Sequence, residues 1–370
     1  MTAFQFEIQL VAMVVAAACA LPGVFLVLRT MAMMSDAISH AILPGIVVAF
    51  FLSGSLSSPL LILGAALTGV LTVVLVELLT RTHLVKEDAA IGLVFPALFS
   101  IGVILIARYA GDIHLDIDAV LLGELALVPF DRLIVGGYDL GPRALTIMGG
   151  VAVLNALFLV IFYKELKIAT FDAALAAALG FLPGVLHYGL MTLVSVTAVA
   201  AFDAVGSILV VALMVGPPAA AHLLTDRLDR MMILSVAIGI VGAIGGFWLA
   251  HELDASIAGC MTTVVGVCFG AAYLFAPHRG VVAVRRLRRR QRWVFAQKML
   301  TIHLLHHEGL PEADRESRID HLQGHLQWSP EFAERVVRHS LQNNLVLQQR
   351  EHLLLTDAGR SLAREAIVQA

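Results

Sequence analysis

The chain predicts an all-α polytopic membrane protein of eight or nine transmembrane helices, followed by a small α+β domain. Of its 370 residues, 59% are hydrophobic and only 14% charged, and mean hydropathy is +0.87, the composition of an integral membrane protein. Apolar runs near the ~20 residues that cross a bilayer as a helix recur throughout residues 1–276. Residues 277–370 break the pattern and hold 15 of the 25 Lys and Arg.

Candidate spans cover 6–28, 33–52, 60–79, 88–107, 144–163, 184–202, 205–224, 231–250 and 256–276. The count falls to eight if 184–224, divided by Phe202-Asp203-Ala-Val-Gly206, is a single element. Segment 117–130 is apolar but short, and reads as a re-entrant or membrane-edge helix. Arg81 and Lys86, Lys164 and Lys167, Arg227 and Arg230, and the Arg285–Arg292 cluster mark cytoplasmic loops. Nine spans then leave the N-terminus outside. No cleavable signal is expected, since neither a basic n-region nor an A-x-A site precedes Leu10. Cys19, Cys260 and Cys268 lie in apolar segments without a C-x-x-C pattern and read as reduced packing residues.

Asp36 and His40 interrupt the apolar run Met31-Ala-Met-Met-Ser-Asp-Ala-Ile-Ser-His-Ala-Ile-Leu-Pro-Gly45. At i and i+4 they share one helix face, so a carboxylate oxygen and an imidazole nitrogen can hold one divalent cation. Pro44 cannot bond the carbonyl of His40 and is expected to kink the helix there. A broken helix at membrane depth belongs against protein or a water-filled path. The competing reading pairs each ionisable group with a neighbouring helix.

Other polar positions carry two readings each. Asp203 pairs with a helix terminus or lines the path. His114, Asp116 and Asp118 face the external side, as a solvated loop or as groups that attract cations or dock a partner. Glu77 and Glu124 lie near segment ends and reach the interface. Pro217 and Pro218 free upstream carbonyls and bend their helix. Residues 168–180 form a short cytoplasmic helix, with Phe171 at its start, Asp172 as N-cap, an Ala-rich body and Gly180 as stop. None of the four lysines (Lys86, Lys164, Lys167, Lys298) follows a glycine, so there is no P-loop and the chain is not expected to be an enzyme.

Several motifs in order carry a family resemblance. They are Ser35-Asp36-Ala-Ile-Ser-His40-Ala-Ile-Leu-Pro44-Gly45, Glu87-Asp88-Ala-Ala-Ile-Gly92, and His114-Leu-Asp116 with Leu121-Leu-Gly123. Tyr163-Lys-Glu-Leu166 with Phe171-Asp172, then Asp203-Ala-Val-Gly206, Gly216-Pro217-Pro218-Ala219 and Leu224-Thr-Asp226 complete the set. Residues 10–276 resemble the permease subunits of zinc, manganese and iron ABC importers. The resemblance implies a multi-pass protein of the bacterial plasma (inner) membrane that works beside an ABC ATPase subunit, an extracytoplasmic metal-binding protein and a second permease subunit, identical or related. It implies transported manganese, iron or zinc and no permanently bound cofactor. Asp36 and His40 become the metal translocation residues, with Asp203, His114 and Asp116 as further pathway candidates. Phe171, Asp172, Ala176 and Gly180 become the coupling helix that receives the ATPase stroke.

The expected organisation is a permease domain over 1–280, a basic linker over 281–292 and a cytoplasmic domain over 293–370. In the last, a helix from Trp293 to His306 turns Met299, Ile302 and Leu305 to an apolar side. Ser329-Pro-Glu opens a second helix with Phe332, Val336 and Val337, residues 345–355 alternate as a hairpin, and Thr356-Asp-Ala-Gly-Arg begins a last helix. This order resembles a winged helix like the N-terminal domain of iron-dependent repressors, which turns the expected cargo toward manganese or iron. The basic cluster suits phosphates, but positive-inside anchoring explains it as well. A regulatory or protein-contact role is favoured over DNA binding. His303, His306 and His307 are either metal-sensing or plain surface residues. Two rivals remain, a proton-coupled secondary metal transporter and a membrane-anchored metal-responsive regulator, and neither accounts for the motifs spread over 31–226.

Overall fold

The computed structural model describes residues 2–54, 58–109, 125–135, 138–319, 321–322 and 326–368. It divides into two compact units, Met1–Gly280 and Val281–Ala370. Among the described residues of the first, nine helices are long and apolar enough to cross a membrane. These are α1 (Ala3–Leu28), α2 (Met33–Ala41) continued by α3 (Leu43–Ser53), α4 (Pro59–Arg81), α5 (Glu87–Tyr109), α6 (Arg143–Ile161), α9 (Pro183–Val205), α10 (Ser207–Leu224), α11 (Leu228–Leu253) and α12 (Ile257–Phe275). Between α6 and α9 lie α7 (Tyr163–Phe171) and α8 (Ala173–Ala178). Residues 184–224 therefore form two helices. Gly206 makes the break with φ 78°, a conformation that favours glycine. Of the apolar 117–130 segment only Leu125–Phe130 is described, as a six-residue 3-10 helix, before the hairpin β1 (Arg132–Val135) and β2 (Tyr138–Pro142).

Helix α1 is the axis of the unit, with Val11, Ala12, Val15, Ala16, Ala18 and Cys19 all fully buried. Pro22 lies within it and leaves the Ala18 carbonyl without its helical donor. Asn155 of α6, fully buried, donates to that carbonyl at 2.8 Å and also to Thr197 of α9 at 2.9 Å. One side chain thus satisfies a proline-freed group and joins three helices, as polar residues do in apolar surroundings. Pro218 similarly frees the carbonyl of Met214. Gly23 seats against it so closely that a Cβ there would lie 2.0 Å from that oxygen.

Helices α3 and α4 meet through Gly45 and Gly64. A Cβ on Gly45 would lie 2.1 Å from Thr68 Oγ1 and 2.2 Å from the Gly64 carbonyl oxygen, and one on Gly64 would lie 2.5 Å from the Gly45 oxygen. Gly45→Val should therefore force the helices apart, at a cost on the order of 3 kcal/mol. The check is the melting temperature of the purified protein in detergent. An unchanged value would show that the contact does not contribute to stability.

The second unit contains α13 (Val281–His307), α14 (Ala313–Glu316), α15 (Pro330–Gln342), β3 (Val346–Gln349), β4 (His352–Leu355) and α16 (Asp357–Val368). The helix expected from Trp293 begins at Val281, so the basic stretch 281–292 is helical. Arginine is a good helix former, and its lack of apolar period hid this. The buried stripe of α13 is Ala296, Leu300 and Leu304, while Met299, Ile302 and Leu305 are half-buried on its flank. The stripe packs with Leu322, Val336, Val337, Val346, Leu353 and Leu355. The expected hairpin is present, with Val346 opposite Leu355, and a single bridge joins Arg318 to His352.

Candidate metal-transfer site

The short helix α2 holds both ionisable groups on one side. Ser35, Ala37, Ile38, Ser39 and Ala41 are buried, and the two serines bond back to the helix, Ser35 Oγ to the Ala32 carbonyl and Ser39 Oγ to that of Ser35. They leave Asp36 and His40 on the remaining face, with side chains 36% and 30% exposed and His40 Nε2 3.5 Å from Asp36 Oδ1. Two donors bound to one cation at about 2.1 Å each sit roughly 3 Å apart, so small torsional changes suffice for a shared ion. The His40 ring has Phe95 of α5 as its aromatic neighbour, centroids 6.0 Å apart. The expected break falls at Ile42, between α2 and α3. Ile42 keeps right-handed helical angles (φ −72°, ψ −17°), so the hydrogen-bond ladder is interrupted without a reversal of direction. This is the mild outcome of a proline in the first turn of a helix.

Asp203 is exposed on α9, two residues before its end. His114, Asp116, Asp118 and Glu124 lie outside the described residues.

Among the coupling candidates, Asp172 caps α8 by accepting from the Leu175 N–H at 2.8 Å. Gly180, at φ 86°, closes the helix. Its N–H bonds the Ala177 carbonyl and that of Phe181 bonds the Ala176 carbonyl, the paired bonds of a Schellman stop. Phe171 is exposed, but Ala176 is fully buried and points into the unit. The large apolar side chains exposed beside Phe171 are Leu175 and Leu179.

Sequence reasoning missed a polar cluster where α1, α4, α5, α7 and α9 end together. Arg29, just past α1, donates from Nε to Thr170 Oγ1 at 3.1 Å and lies 3.3 Å from His187 Nδ1 through Nη1. Burial lowers the pKa of Arg29 from the usual arginine value, although a guanidinium stays charged. Glu77 accepts from the Tyr188 hydroxyl and, at 2.6 Å, from Arg81. Glu87 keeps one buried carboxylate oxygen without a hydrogen-bond partner among the described residues. Beside these groups lies a cavity of about 170 Å³ lined by Met31, Met34, Glu77, Thr80, Glu87 and His187. Met34 stands two residues before Asp36, so the cavity abuts the first turn of α2. Arg29, Glu77, Arg81 and Glu87 are each visible in the sequence as charges at span ends, but nothing local says that they meet.

Residues 1–276 match the ABC 3 transport family. The chain belongs to that family. It is 49% identical over 358 residues to the zinc transport system membrane protein TroD of Treponema pallidum (strain Nichols), covering 97% of both chains. It is 49% identical over 280 residues to the manganese transport system membrane protein MntD of Bacillus subtilis (strain 168), covering 75% of this chain and 95% of that one. Among solved structures, PsaBC from Streptococcus pneumoniae in complex with Fab aligns with a TM-score of 0.63 and 28% identity, over 77% of this chain and 96% of that chain. The protein is thus a multi-pass ABC permease subunit and not an enzyme; ATP hydrolysis belongs to a separate subunit.

Proposed function

We propose that this permease subunit imports a divalent first-row metal, manganese or iron, from an extracytoplasmic binding protein into a bacterial cytoplasm. The observation that carries the reading is the Asp36–His40 pair, 3.5 Å apart on a half-exposed face within a membrane span. Each chain supplies two ligands, and a second permease subunit supplies the other half, so the ion passes between subunits at a site of mixed carboxylate and imidazole ligation. Such a set binds manganese, iron or zinc with little discrimination by geometry, and intrinsic affinity alone favours zinc over manganese. Selectivity therefore resides in the binding protein that delivers the cargo. Below Asp36 the cavity of Glu77, Glu87 and His187 is the exit, its free carboxylate oxygen receiving the departing cation. A cytoplasmic ATPase docks at Phe171 and the short helix α8, and Arg29, bonded to Thr170 beside it, joins that element to the segment leading into α2.

Sidedness follows from positive-inside loops: nine spans from an external N-terminus place Arg29, Arg81, Lys86, Lys164, Lys167 and Arg227 in the cytoplasm with residues 281–370. The second unit is read as a winged-helix-like regulatory module, supported by the order α13, α14, α15, hairpin, α16 and by the bridge from Arg318 to the hairpin. Zinc is the second reading, favoured because a relative that spans this unit as well is named for zinc.

The test is uptake of radioactive manganese, iron and zinc by cells stripped of their own importers and given the complete transporter. Accumulation of manganese or iron that needs a working ATPase is the expected result. Accumulation of zinc alone would replace the cargo by the second reading, and no accumulation of any of the three would overturn the metal assignment.

A further inference from the structure

The second unit brings together a second set of imidazole and carboxylate groups. His303 and His307 stand one turn apart on α13, and Glu316 closes α14. One ligand atom from each lies within 4.8 Å of the others. His303 is 7% exposed and Glu316 7%, with His307 half-buried. His303 Nε2 is 3.5 Å from Glu316 Oε2 and 3.2 Å from the Glu316 carbonyl oxygen, and the two imidazole rings approach to 4.8 Å between centroids. Behind the carboxylate, His321 Nδ1 lies 3.1 Å from the same Oε2. His306 falls outside the group and is exposed.

From this geometry we infer that His303, His307 and Glu316 form a binding site for a divalent first-row transition ion, separate from the membrane pair. Two histidines at i and i+4 present their rings on one helix face, as in helical zinc motifs, and the carboxylate comes from the next helix. Imidazole with one carboxylate suits zinc, iron and cobalt and leaves coordination positions open to water. Donors around a tetrahedral ion lie about 3.4 Å apart. The His303–Glu316 pair is already at that spacing, and a separation at the 4.8 Å limit must close by about 1.4 Å, within reach of side-chain rotation. His321 orients the carboxylate from outside the coordination sphere, as outer partners of metal ligands do. Binding ties α13 to α14.

The experiment uses the full-length chain purified in detergent and carrying Asp36→Asn and His40→Gln, so that the membrane pair contributes no metal and its failure or success does not enter. Cobalt(II) is titrated while its visible absorption bands are followed, and zinc is titrated against a chromophoric chelator. One ion per chain is expected. His307→Gln and Glu316→Gln should abolish the bands, His321→Gln should weaken binding about 10–100-fold, and His306→Gln should leave it intact. Far-ultraviolet circular dichroism identifies any variant that has unfolded; His307, being half-buried, is the substitution least exposed to that objection. Absence of bands in the parent, or bands unchanged in folded His307→Gln and Glu316→Gln, would overturn the site and leave the cluster as a hydrogen-bonded clasp.

Discussion

Asp36→Ala and His40→Ala should each lower the initial rate of metal uptake at least ~10-fold at equal membrane abundance, with little change in melting temperature. The two halves of this expectation come from the same geometry. Each half-site has two donors, so one substitution removes half of what a subunit offers the ion, and a tenfold loss corresponds to only about 1.4 kcal/mol of transition-state stabilisation. Folding should be nearly indifferent. The packing of α2 is carried by Ser35, Ala37, Ile38, Ser39 and Ala41 on its buried side, and truncating a half-exposed side chain away from the core usually costs within about 0.5 kcal/mol. If Asp36 and His40 instead serve helix packing, the signs reverse: melting temperature falls and residual protein transports normally. Uptake at the parental rate in both variants would end the metal-site assignment. His40→Asp is an informative companion, since it replaces the imidazole nitrogen by a carboxylate oxygen and should retain more transport than alanine if ligation is what matters.

The membrane part was legible because its physics is one-dimensional. Apolar length set the spans, and Gly206, needing a positive φ, marked the division of 184–224. The local chemistry of Asp172 and Gly180 was readable for the same reason: caps depend on neighbours within a few residues. What could not be read depends on contacts distant in sequence. Nothing adjacent to Asn155 says that it will bond the carbonyl that Pro22 frees, 137 residues away. Nothing in Ala173–Ala178 says which side turns inward, and Ala176, placed in the coupling helix by resemblance, is fully buried. The histidines of α13 illustrate the same limit. His303 and His307 were visible, but Glu316, which makes them a ligand set, belongs to another helix.

Coupling to the ATPase should fail when Leu175 and Leu179 are both changed to aspartate. At i and i+4 the two share one side of the α8 turn, and with Phe171 they are 49%, 57% and 63% exposed, respectively. The turn that carries them is fixed at both ends, by the Asp172 side chain and the Gly180 stop. A partner therefore meets a preformed apolar knob and loses little to ordering it. Burying a leucine is worth about 2 kcal/mol, and a buried unpaired carboxylate adds a further penalty, so the double substitution exceeds what a transient docking contact can absorb. The expected result is at least a tenfold loss of ATPase co-purifying with the permease and a matching loss of uptake, with extraction and melting of the permease alone unchanged. An undiminished ATPase ratio would show that the knob faces lipid headgroups instead, where leucine is equally at home, and would move the coupling surface elsewhere. A retained ratio with lost uptake would have a different meaning: docking survives and transmission fails, which directs attention to Arg29 and Thr170. That bond links the helix before the knob to the segment leading into the helix of Asp36 and His40.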